Sequence, residues 1–306
     1  MNTIAFQTPA DASKWKRRLV YSPLARIVIF LLMSVPAAAA MIFASKALGI
    51  NLKDYPALTL VLQLIAFLGA YLILVYKIEK RRPAELAWRK VVPHGVAGVC
   101  FGAAFISATI GVMWLMGNYV VTGAGVDVDW VKPLIVVGLG AGIFEEILFR
   151  GVLFRITEEG LGTWPALAIS ALFFGFAHIM NPGATVWASF AIAVEAGVLL
   201  GLVYHLSRSL PLVIGIHLAW NFVQGTVYGV PVSGGTAKGW LVSTRPGNDW
   251  LSGGVFGAEA SVVAVALSLI ASLWMLNFAY KRQTIFLRQW GAKKAIAAPV
   301  PQETAP

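Results

Sequence analysis

Val136–Val137–Gly138–Leu139–Gly140–Ala141–Gly142–Ile143–Phe144–Glu145–Glu146–Ile147–Leu148–Phe149–Arg150 is the stretch on which the reading of this chain turns. Two adjacent carboxylates and an arginine interrupt a run that otherwise reads as membrane-buried. An ionisable side chain at the centre of a bilayer helix costs about 2.5–3.5 kcal/mol on insertion scales, so such a group is normally paired or functional. The surrounding composition agrees with a membrane setting. Of 306 residues, 58% are hydrophobic and only 12% charged, and the mean hydropathy is +0.75. A soluble domain carries about 25% charged residues. The expected fold is all-α: a polytopic transmembrane helical bundle.

Working outward, apolar runs long enough for a helix to cross a bilayer fall at about 26–45, 55–76, 93–117, 131–157, 165–181, 184–206, 209–228 and 259–279. That makes about eight spans. The small residues from Pro36 to Ala40 imitate a signal-peptide cleavage site, but the apolar run continues to Ala44, so the first span is read as retained. Asn181–Pro182–Gly183 is a tight turn between two spans.

Basic residues test the count, because they gather in cytoplasmic segments. With the N-terminus inside, the inner segments hold Lys14, Lys16, Arg17, Arg18, Arg26, Lys77, Lys80, Arg81, Arg82, Arg89, Lys90, Arg150, Arg155 and Arg208. The tail adds Lys281, Arg282, Arg288, Lys293 and Lys294, whereas the outer segments hold only Lys46, Lys53, Lys132, Lys238 and Arg245. The asymmetry predicts an N-in, C-in topology and accounts for the net charge of +10. No basic stripe interleaved with aromatics occurs, so a nucleic-acid partner is not expected. The single cysteine, Cys100, excludes an intrachain disulfide and a thiolate metal cluster.

The expected organisation is a cytoplasmic segment over 1–25, one transmembrane domain over 26–280, and a basic, then disordered tail over 281–306. A Gly-rich outer loop at about 229–258 is longer than a simple connector and is expected to cap something. Gly138-x-x-x-Gly142 and Gly197-x-x-x-Gly201 permit close helix packing.

Three spans carry polar groups out of character with their neighbours: Glu145, Glu146 and Arg150; His178; and His217 with Asn221. Glu146 and Arg150 stand four apart, on one helical face, in the favourable acid-before-base order. Glu145 is turned about 100° away, which leaves it as the available carboxylate. His217 and Asn221 also share a face, with Gln224 one turn on. Depth brings these groups to a common layer. Glu145 lies about 20 Å from the inner end of its span, His178 about 20 Å, and His217 and Asn221 about 12 and 18 Å, at 1.5 Å per residue.

A carboxylate and two histidines could activate water, with Glu145 as general base, hold zinc, or relay protons in a transporter. Competing motifs are absent: no His-Glu-x-x-His, no Gly-x-Ser-x-Gly and no phosphate-cradling loop. Ser233 is read as a loop serine without a base nearby. Glu195, on the sixth span, is read as a structural hydrogen-bonding group, with cavity lining as its alternative, and His205 as lying near the inner edge.

Glu145–Glu146-x-x-x-Arg150, Phe174-x-x-x-His178 and His217-x-x-x-Asn221, in that order on separate spans, resemble the CPBP family of intramembrane endopeptidases. That family includes CAAX prenyl proteases and Abi-type bacteriocin-processing or immunity proteins. The resemblance covers about residues 131–228. It implies a protease core there, with Glu145 and His178 activating water, His217 and Asn221 stabilising the oxyanion, and Glu146, Arg150 and Phe174 in support. It further implies a peptide or protein substrate, lipidated or not, and a multi-pass place in the cell membrane, of the bacterial inner-membrane kind. A metal-independent mechanism is expected, with zinc as the alternative, since Asn221 is a poor zinc ligand and a good oxyanion donor. The rivals are a non-catalytic immunity or scaffold protein and a proton-coupled transporter.

Overall fold

The computed structural model describes residues 6–286. The expected tail beyond 286 lies outside them. Eight helical rods account for most of the described chain: α1 (Pro23–Ala47), α2 (Pro56–Ile78), α3 (Trp88–Leu115), α4 (131–161), α5 (Thr163–Ala177), α6 (Val186–Ser207), α7 (Leu210–Val227) and α8 (Val262–Lys281). Six of them, all but α4 and α5, are long and apolar enough to cross a membrane. The charges of α4 interrupt its hydropathy, and α5 has only 15 residues. Their ends follow local chemistry. Ser22, Thr185, Ser209 and Ser261 each cap a helix by accepting a backbone N–H from three residues on, which satisfies one of the amides a helix start leaves free.

Three boundaries differ from the sequence expectation. A single residue, Gly162 at φ 95°, joins α4 to α5. Helix α5 stops at Ala177, so His178 is its cap rather than a mid-span residue. Helix α8 starts at Val262, because the Ser261 cap ends the preceding turn, and Glu259 therefore lies outside it. The fold is also not purely helical. Val120–Ala124 (β1) pairs antiparallel with Leu241–Thr244 (β2), with a bulge between Val121 and Gly123. The strands belong to the α3–α4 and α7–α8 loops, whose backbone groups find in each other the partners that helices provide elsewhere.

Glycines set the closest approaches. A Cβ at Gly98 or Gly102 of α3 would collide with the carbonyl oxygens of Leu212 or Ile216 on α7, and one at Gly215 with that of Gly95. Gly197 lies against Ala171, bringing α6 to α5, and Gly142 faces Ile214 and Leu218, bringing α4 to α7. Backbones this close let polar side chains of different helices reach one another.

One end of the bundle is clamped by charge. Arg26 at the start of α1 meets Glu79 and Glu159, each at 2.7 Å. Arg155 meets the same two carboxylates at 3.0 Å, and Arg81 bridges Glu79 and Glu85 at 2.7 and 2.6 Å. Burial alone would raise the Glu85 carboxyl, but the hydrogen bond and charge of Arg81 hold it below the usual carboxylate range. The beginning of α1 and the ends of α2 and α4 thus meet at one face, the alternation expected of an up-and-down bundle. Beside them Glu158 accepts from His205 Nδ1 at 2.7 Å and pairs with Arg208.

Candidate active site

The π-helical stretches 134–140 and 147–154 flank the α-helical segment that carries both glutamates. Glu146 is sealed. Its Oε1 accepts from Arg150 Nη1 at 2.9 Å and from His217 Nδ1 at 2.8 Å, with no exposed side-chain surface on Glu146 or Arg150. Arg150 also donates to the carbonyls of Ala196 and Gly197 on α6 and lies 4.8 Å over the Phe174 ring. One guanidinium therefore ties α4, α5 and α6 together. Phe174 stacks on His178 with centroids 5.0 Å apart and touches Phe149 at 4.7 Å.

Glu145 faces the other way, with 18% of its side chain exposed. Its Oε2 has no hydrogen-bond partner and lies 3.9 Å from Nε2 of both His178 and His217. The three motifs therefore converge. Tautomers follow from the far ring nitrogens. His178 Nδ1–H donates to the Phe174 carbonyl at 2.8 Å, and His217 Nδ1–H donates to Glu146. The Nε2 of each ring is thereby turned toward Glu145. Asn221 spends one of its two amide hydrogens on the Val137 carbonyl at 3.1 Å and keeps the other.

His178, His217 and Asn221 line a cavity walled by Phe174, Ile192, Leu200, Ile216 and Trp220. Two sequence readings change here. Glu195 lines the cavity, and neither of its carboxylate oxygens has a hydrogen-bond partner, so the structural-bond role gives way to the lining role. Ser233 does have a carboxylate beside it. Glu259 accepts from the Ser233 amide at 2.6 Å and lies 3.3 Å from its hydroxyl. Burial pushes the Glu259 carboxyl up to about 7. The outer loop reaches the cavity because Gln224 Nε2 donates to the Pro231 carbonyl at 2.6 Å and Asn181 to that of Ser233 at 3.1 Å. The pairing of Ser233 with Glu259 has no local pattern behind it, since the two stand 26 residues apart. The one available signal was an acid, Glu259, at the mouth of an apolar run.

Among the described residues, no group of three His, Cys, Asp or Glu is placed to hold a metal ion. Glu145, His178 and His217 come nearest. Ligand atoms around a tetrahedral zinc lie about 3.4 Å apart at bonds of about 2.1 Å, a narrower spacing than the 3.9 Å found here.

Residues 127–223 match the family described as Rce1-like, type II CAAX prenyl endopeptidase. This segment is Rce1-like. It runs from the approach to α4 into α7 and contains Glu145, Glu146, Arg150, Phe174, His178, His217 and Asn221. No curated protein and no solved structure is significantly similar to the chain. The Rce1-like match over 127–223 and the six membrane-competent helices support a multi-pass membrane protein.

Proposed function

We propose that the protein is an intramembrane endopeptidase in which Glu145 activates water against a peptide bond. The supporting observation is the unpartnered Glu145 Oε2, 3.9 Å from both histidine Nε2 atoms. That spacing is too long for direct hydrogen bonds and suits three groups sharing one small oxygen species. In the reaction, a water oxygen attacks the peptide carbonyl carbon as Glu145 takes its proton, and His178 orients the water. The free Asn221 hydrogen and a protonated His217 Nε2 donate to the oxyanion. The proton on Glu145 then passes to the departing amine as the C–N bond breaks. Glu146 and Arg150 hold His217 in place. The substrate is a peptide or protein end, and the apolar walls accept its side chains or an attached lipid.

A zinc-assisted variant has one observation in its favour: both histidines donate their far N–H to a carbonyl or carboxylate, the arrangement usual for metal-bound imidazoles. Glu145, His178 and His217 would hold the ion, which would supply a more acidic water.

The deciding experiment is cleavage of a peptide library by purified protein, comparing wild type, Glu145→Gln and His178→Ala, each with and without chelator. Loss in both variants with no effect of chelator is the expected result. Loss on chelation that zinc reverses would favour the metal variant. Undiminished cleavage by both variants would refute the site.

A further inference from the structure

The cavity holds two acids that the proposed hydrolysis does not use. Glu195 of α6 is only 2% exposed, lines the cavity, and has both carboxylate oxygens without a hydrogen-bond partner. Glu259 reaches the same space from the turn before α8, held by the Ser233 amide. Neither forms an ion pair with a lysine or arginine among the described residues; the nearby Arg150 is spent on Glu146 and on two carbonyls. A buried carboxylate with no cation and no donor is costly. Glu195 is in that position, Glu259 has only the Ser233 donors, and a bound positive group would relieve both. The remaining walls, Ile192, Ala196, Leu200, Ile216 and Trp220, are apolar or aromatic. Apolar walls ending in carboxylates fit a side chain with a methylene stem and a charged tip, and the Trp220 face can stack on the cation.

We propose that Glu195, backed by Glu259, forms a subsite for a lysine or arginine side chain of the substrate, beside the scissile bond. This assignment rests on the endopeptidase reading above for its substrate class. It makes Glu195 a specificity-determining residue and gives the outer loop a part in substrate selection through Ser233 and Glu259.

The test is binding, so that it does not depend on turnover. N-acetylated, C-amidated Ala/Leu peptides carrying one central lysine, norleucine or glutamate are titrated against full-length Glu145→Gln protein in detergent. The lysine peptide should bind about ten-fold or more tightly than the norleucine peptide, the gain of one charge-assisted hydrogen bond. Adding Glu195→Gln should bring the two within about two-fold, while Glu195→Asp, which keeps the charge, should retain a preference for lysine. Equal binding of lysine and norleucine peptides, binding of neither, or a lysine preference that survives Glu195→Gln would overturn the proposal. Parallel wild-type cleavage assays separate the two readings. Cleavage without a basic preference would sink the subsite alone, and lysine-selective binding without any cleavage would sink the hydrolase alone.

Discussion

Replacing Arg150 by alanine removes the arginine that meets Glu146, at 2.9 Å, along with two bonds to α6 carbonyls and a contact 4.8 Å from the Phe174 ring. Both members of the pair are fully enclosed. Breaking a buried pair while leaving one charge behind costs about 3–5 kcal/mol, more than most single substitutions. Most of that cost is the stranded Glu146 carboxylate rather than the lost attraction. Glu146→Gln should therefore rescue part of the loss, since the double variant strands no charge. We expect a coupling of about 2 kcal/mol between the two positions in a double-mutant cycle. The assay is equilibrium unfolding in mixed micelles, read by the fluorescence of the chain's 11 tryptophans. A coupling below about 0.5 kcal/mol, or a single-variant loss below about 1 kcal/mol, would refute the account of Arg150 as the clasp between α4, α5 and α6.

Asn221→Ala should lower kcat by about 10²–10³, the usual effect of deleting one oxyanion donor, with KM little changed; an unchanged kcat would remove Asn221 from the mechanism. The Glu259 carboxyl, pushed up to about 7 by burial from its ordinary value of 4.5, binds its proton more tightly when folded than when unfolded. Stability contributed by that protonated state is thus complete below the unfolded value and falls as pH rises toward about 7. Thermal unfolding between pH 5 and 8 should show this decline in wild type and a flatter profile in Glu259→Gln. Gly98→Ala drives a methyl into the Leu212 carbonyl and should cost about 1–3 kcal/mol as overpacking, whereas Gly111→Ala, on the same helix with open space around it, should be neutral or mildly stabilising in the same unfolding assay.

The sequence alone was enough for the membrane class, the all-α bundle and the three polar motifs, because each rests on short-range regularities. Hydropathy over about 20 residues marks a span, and a four-residue spacing fixes which side chains share a face. On that basis spacing alone pairs Glu146 with Arg150 and sets Glu145 apart. Tertiary structure decided what depends on distant segments meeting. No local pattern says that Glu145 Oε2 stands between the histidines of α5 and α7, or that Glu146 holds His217 from below. Nor could it show that the outer loop folds back to put Glu259 and Ser233 in the cavity, or that Glu195 points there without a partner. Those placements follow from where glycines let helix backbones touch and from which loop carbonyls Gln224 and Asn181 can reach. Both are contacts between residues far apart in the chain, where the sequence records only that each residue is present.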